Sequence, residues 1–184
     1  MPTPSVDNMR LLLFFTFFLA EVKSFYVSYF AFGSNMNQDL LERRTFSKEG
    51  SLKPERTILK DYQLVFNTGL GQLGMAASVE PCRGEFTHGL TYKLNLPQFN
   101  FLLASEGFPV GYKIEPVRVK LYDGGGIIEA LTLRSGRGLI SGKPSERYIK
   151  LLQKGAKDNG LDMEYQRFLD GVEPTGSTLS KIRK

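Results

Sequence analysis

Between residues 26 and 133 the apolar positions fall in short runs separated by glycine, proline and asparagine, a pattern of strands joined by turns. Tyr26 to Phe32 is an aromatic strand that runs into the turn residues Gly33, Ser34 and Asn35. Asn37 stands where it would cap a short helix over Gln38 to Arg44. Asp61 to Phe66 predicts a second strand, and Gly69, Gly71 and Gly74 mark Asn67 to Met75 as a loop. Ala76 to Val79 and Thr87 to Leu94 predict two more strands, joined around Pro81 and Gly84. Asn95 and Pro97 open a helix that carries Phe99, Leu102 and Leu103, reaches Glu106 and stops at Gly107. Val117, Val119 and Leu121 then alternate with Arg118 and Lys120, Asp123 to Gly126 forms a turn, and Ile127 to Leu133 returns as the second arm of a hairpin. Residues 134 to 144 read as a Gly/Ser-rich loop. Helices are expected over 145–158, closed by Asn159 and Gly160, and over 162–170, closed by Gly171. The predicted class is α+β, with a mostly antiparallel sheet curled into a small barrel and flanked by helices. Strict βαβ alternation is missing, which argues against a doubly wound sheet.

The N-terminus breaks this pattern. Arg10 precedes ten largely apolar residues, 11–20, and Glu21 and Lys23 end the run. A membrane-spanning helix needs ~20 such residues. A positive charge before a short apolar stretch is instead the pattern of a secretory leader. Residues 1–24 are therefore predicted to be a hydrophobic leader, cleaved after Ser24, with Val22 and Ser24 at the recognised positions. Met9 is an alternative start that leaves the leader intact, and a buried first element of the fold is the alternative structural reading. The expected organisation is a leader at 1–24, a domain at 25–175 and a basic tail at 176–184. The leader points to the secretory pathway or an organelle lumen, a plastid reached through a secretory first step included, and its failure to function would leave the chain in the cytoplasm. No stable membrane span is expected once it is removed.

Composition adds limits. Of the 184 residues, 41% are apolar, with 14 Phe and 8 Tyr, enough for a packed core. The net charge of +5 is spread along the chain, without the basic stripe interleaved with aromatics that nucleic acid requires. Cys82 is the only cysteine, so no internal disulfide supports the fold. His88 is the only histidine, which excludes a paired-histidine metal site, and its strand-like surroundings favour a structural role.

Two places hold candidate chemistry. The junction Phe32-Gly33-Ser34-Asn35-Met36 is a strand running through a tight turn into a helix start, where exposed amides suit a carboxylate or an oxyanion. Glu106 ends an apolar helix, where the helix dipole disfavours a negative charge, and burial by neighbours such as Phe108 would add to that effect. Each feature alone reads equally as an ordinary turn or a solvated helix end.

Four segments in order resemble the γ-glutamylcyclotransferase family: "YFAFGSNM", "GLTYKL", "SEGFPVGY" and "PSERYIKLLQKGAKDNGLDMEYQRFL". The likeness spans about residues 26 to 172. It implies a small mixed β-barrel with flanking helices, no metal and no cofactor. It implies Glu106 as general acid/base, with Phe32, Gly33, Ser34, Asn35, Met36 and Tyr112 around a small γ-glutamyl substrate. The implied reaction is intramolecular: the α-amine attacks the γ-amide carbonyl, 5-oxoproline forms and an amine leaves. The 134–144 loop is a candidate lid over that site. Two positions depart from the family pattern. Phe32 stands where a tyrosine is usual, and Lys113 stands where many members place a second tyrosine after Tyr112. Lys113 could pair with Glu106 or point to solvent. The departures keep open a non-catalytic binding or assembly module with the same fold. Neither the leaving amine nor the oligomeric state is legible in the sequence.

The mature chain is expected to lack residues 1–24. Intact-mass measurement on protein from its native source checks this, and a mature chain that keeps residues 11–20 contradicts it.

Overall fold

The computed structural model describes residues 25–69, 74–139 and 141–176. The predicted leader, the basic tail from 177 onward and residue 140 of the candidate lid lie outside the described residues. The elements are β1 (Tyr26–Ala31), a 3-10 turn (Ser34–Met36), α1 (Gln38–Arg44), β2 (Glu55–Thr68), β3 (Ala76–Asn95), α2 (Leu96–Ser105), β4 (Lys113–Leu121), β5 (Ile127–Arg134), α3 (Glu146–Asp158) and α4 (Met163–Asp170). This is the expected α+β class. Among the described residues no helix is long and apolar enough to cross a membrane.

The strand order is β1-β3-β2-β4-β5, and it closes on itself. All neighbouring pairs are antiparallel except the seam, where β5 runs parallel to β1 with Tyr29 opposite Leu131. That seam is reinforced by the Thr132 hydroxyl, which donates to the Phe30 carbonyl at 2.8 Å. Inside and around the ring, Phe30, Leu90, Tyr92, Leu94, Leu102 and Val119 have essentially no solvent exposure.

The hairpin of β2 and β3 departs from expectation. Pro81 and Gly84 do not separate two strands; β3 runs unbroken from Ala76 to Asn95, and β2 begins at Glu55 rather than Asp61. The ladder shifts register between Lys60 and Tyr62, where Asp61 adopts a left-handed φ of 61°. Between the pairs Lys60–Phe86 and Tyr62–Pro81, β2 has one residue and β3 has the four residues 82–85, so β3 bulges there and the ribbon bends without ending. The Asp61 carboxylate then accepts the Gly84 amide at 2.8 Å, so the residues that looked like turn signals mark a bend.

Helix ends follow their sequence signals closely. Asn95 and Gln98 form a reciprocal capping box that starts α2. Asn37, Ser145 and Asp162 accept amide hydrogens at the starts of α1, α3 and α4. Helix α3 buries Ile149, Leu152, Gly155 and Ala156 on one face, the spacing of an amphipathic helix. That face packs on the 3-10 turn. A Cβ at Gly155 would lie 2.8 Å from the Met36 Cβ and 2.9 Å from the Met36 carbonyl carbon. Asn159, at the end of α3, also donates to the Met36 carbonyl at 3.2 Å. The turn after β1 is thus held from behind by a helix more than a hundred residues later in the chain.

Gly155→Ala should force this contact apart. Overpacking of a fitted interior typically costs 1–3 kcal/mol, and a loss of about that size is expected here. Thermal or denaturant unfolding measures it, and an unchanged midpoint would mean that α3 and the turn do not meet this closely.

Candidate active site

Five segments converge at the open end of β1. The strand delivers Tyr29, the residues that follow it are Phe32 and Gly33, and the 3-10 turn adds Ser34 and Asn35. The end of α2 supplies Glu106, the connection into β4 supplies Tyr112, and α3 supplies Tyr148. Ala77 and Leu133 complete a cleft with about 280 Å³ of empty space including its mouth.

Glu106 is held by the way its helix ends. Gly107, at φ 70°, is the left-handed residue after the cap. The Gly107 amide donates to the Ala104 carbonyl and the Phe108 amide to the Leu103 carbonyl, the paired bonds of a Schellman ending. Glu106 therefore sits at the C-cap, with a side chain 15% exposed. Phe108 is itself substantially exposed and is not among the residues lining the cleft.

One carboxylate oxygen of Glu106 collects two donors. The Asn35 amide nitrogen donates to Oε1 at 2.9 Å, and Arg44 Nη1 donates to the same atom at 2.5 Å. The same Arg44 nitrogen reaches Asn35 Oδ1 at 2.6 Å and Ser34 Oγ at 3.2 Å. Asn35 also donates to the Tyr29 hydroxyl at 2.9 Å. A flipped Asn35 amide would set its oxygen against Glu106 and its donors against Arg44, so the network fixes its orientation. The guanidinium and the helix end act on the Glu106 charge in opposite directions.

The aromatic wall stays uncharged. Burial, and after it the negative charge of Glu106, pushes the Tyr29 phenol far above its ordinary value. Burial first, then Tyr148 and Glu106, pushes Tyr112 up as well. Tyr148 is raised mainly by burial, against the opposing effect of the Ala77 amide, which donates to its hydroxyl at 3.0 Å. The Tyr112 hydroxyl donates to the Ala77 carbonyl at 2.9 Å. As the first residues of a 3-10 turn, Ser34 and Asn35 have backbone amides without partners inside the turn, and the Ser34 amide faces the Tyr148 hydroxyl.

Most of the predicted site residues line this cleft: Phe32, Gly33, Ser34, Asn35, Glu106 and Tyr112. Met36 does not. Its side chain is fully buried against α3 and its amide donates to the Gly33 carbonyl at 3.0 Å, so it packs the turn. Lys113 is exposed at the start of β4, opposite Arg134, and the cation paired with Glu106 is Arg44. The described residues of the 134–144 loop are tied to β2. The Phe66 amide donates to the Ser141 hydroxyl, the Gly142 amide donates to the Phe66 carbonyl and Asn67 donates to the Gly138 carbonyl, and among the described residues none from 135–144 lines the cleft. Sequence reasoning missed Tyr29, Tyr148 and Arg44. Tyr29 is the first letter of the segment "YFAFGSNM" and Tyr148 lies in "PSERYIKLLQKGAKDNGLDMEYQRFL", so their signal was present. Arg44 looked only like a basic residue in a last helical turn.

The chain is 31% identical over 158 residues to human gamma-glutamylcyclotransferase, a match that spans 82% of this chain and 80% of that protein. The chain belongs to the γ-glutamylcyclotransferase family. The bovine gamma-glutamylcyclotransferase is also 31% identical, over 153 residues. A solved gamma-glutamyl cyclotransferase structure superposes with a TM-score of 0.73 at 27% identity, over 86% of this chain and 98% of the other. No family model matches the chain. The family is one of cyclotransferases of the lyase class, which makes this chain an enzyme of that kind.

Because Lys113 stands outside the cleft, Lys113→Tyr is expected to leave relative rates across γ-glutamyl substrates unchanged. Its stability cost should stay within about 0.5 kcal/mol, as for other exposed positions. A reordered substrate preference in a dipeptide panel would place Lys113 in contact with the substrate after all.

Proposed function

We propose that the protein cyclises the γ-glutamyl group of a γ-glutamyl amino acid or amide, releasing 5-oxoproline and an amine, with Glu106 as general acid/base. The observation that carries this reading is the single carboxylate lining a small, neutral aromatic cleft beside the amides of Ser34 and Asn35, in a chain of the cyclotransferase family.

The chemistry asks little of the protein beyond positioning. The substrate's α-ammonium loses a proton to Glu106. The freed amine attacks the γ-carbonyl carbon, a C–N bond forms, and the carbonyl oxygen takes negative charge that the Ser34 and Asn35 amides stabilise. The tetrahedral carbon then expels the original amide nitrogen, which takes the proton from Glu106 as it leaves; the ring nitrogen gives up its second proton, again through Glu106, to the released amine, which departs as an ammonium. Nucleophile and electrophile belong to one molecule, so holding it folded supplies several kcal/mol of the barrier reduction. Tyr112 and Tyr148, neutral and anchored on Ala77, form the wall against which the aliphatic part of the substrate folds. Phe32 adds an apolar surface at the position where the family usually has a hydroxyl, which bears on which leaving amine is preferred.

Glu106→Gln should lower turnover by ~10²–10⁴ while leaving substrate binding and the melting temperature close to wild type. A panel of γ-glutamyl dipeptides, extended to ε-(γ-glutamyl)-lysine, with 5-oxoproline quantified, makes the measurement and also identifies the leaving amine. A Gln variant within about threefold of wild type means that another group is the base. A wild type that binds the panel but releases no 5-oxoproline supports the binding-module reading.

A further inference from the structure

We infer that Arg44 is the positioning residue of this site: it pins Glu106 through one carboxylate oxygen and leaves the other as the proton-transferring atom. The inference rests on the proposed role of Glu106. Arg44 and Asn35 both donate to Oε1. Among the described residues no group donates a hydrogen bond to Oε2. The two oxygens are therefore inequivalent before any substrate arrives. A proton acceptor already committed to two donors is a poor base, and the uncommitted oxygen is the better one.

Arg44 acts from behind. It does not line the cleft, and its Nη1 touches Glu106, Asn35 and Ser34, one residue from α2 and two from the turn. This single nitrogen ties the carboxylate to the segment whose amides face the substrate. It thereby sets the distance between base and oxyanion donors, the quantity on which a two-proton cyclisation depends. The other titratable groups that face Glu106 are Tyr29 on β1, Tyr112 before β4 and Tyr148 on α3, and none of them carries a positive charge. Arg44 is thus the cation of the cluster.

Nη1 has two hydrogens for three acceptors. An ammonium has three donors, so a lysine that reaches this point keeps both the charge and the contacts. That property separates positioning from simple packing. Arg44→Met should lower kcat by ~10–100-fold with KM within about threefold of wild type, and Arg44→Lys should recover most of kcat. Wild type and Glu106→Gln are assayed beside them for 5-oxoproline release, with melting curves for every variant. If Arg44→Met does not fold, Arg44→Gln, uncharged but still able to donate, is judged by the same criteria. A Met or Gln variant with wild-type kcat overturns the inference. So does one that raises KM and keeps kcat, because Arg44 would then contact substrate. So does a folded Arg44→Lys as slow as the neutral variant. Any of these beside an inactive Glu106→Gln leaves the base assignment standing, whereas an inactive wild type or an active Glu106→Gln removes the ground beneath it.

Discussion

A single oxygen, Oε1 of Glu106, joins parts of the chain that are otherwise far apart. Its two donors lie 71 and 62 residues away in sequence, on the turn after β1 and at the end of α1. Each of those segments is held by something else. The turn is backed by α3 at Gly155, α1 is capped by Asn37, and α2 delivers Glu106 only because it is capped at both ends. Ion pairs on protein surfaces contribute little because side-chain entropy and solvent offset them. This one is mostly enclosed and its side chains are already ordered by neighbours, so its geometry is set by the scaffold.

The sheet's role is to bring the ends of strands together. β1 ends at Ala31, just past the Phe30 carbonyl that accepts the Thr132 hydroxyl across the seam, and the chain leaves the sheet at Phe32 and Gly33. The two neighbouring residues of β3 and β5 that line the cleft, Ala77 and Leu133, lie close to strand ends as well. A closed sheet leaves few edges to protect. The opening at its end is then the natural place for a small ligand.

Much of this was legible in the sequence, for local reasons. The caps Asn37, Asn95, Ser145 and Asp162 announce helix starts because their side chains act within three residues. Glu106 could be placed at a helix end because Gly107 follows it. What the sequence hid is non-local. The continuity of β3 through Pro81 and Gly84 depends on pairing that resumes on both sides of a bulge at 82–85, held by Asp61 of the opposite strand, which no reading of β3 alone can reveal. Met36 sits inside the motif but faces α3, because a turn with three residues cannot point all of them at one cleft. Arg44 was invisible because its meaning comes from a carboxylate 62 positions away.

The neutral phenols have an electrical consequence. With Tyr29, Tyr112 and Tyr148 all kept protonated by burial, the charges at the site reduce to Arg44 and Glu106, which cancel. A ligand whose ammonium and carboxylate also cancel would meet a surface with no net charge, although the whole chain carries +5. Recognition would then depend on the alignment of opposed dipoles at contact distance. Dissolved ions screen such short-range alignment weakly compared with the attraction of net charges across a Debye length. For such a ligand, binding in this cleft should depend only weakly on ionic strength.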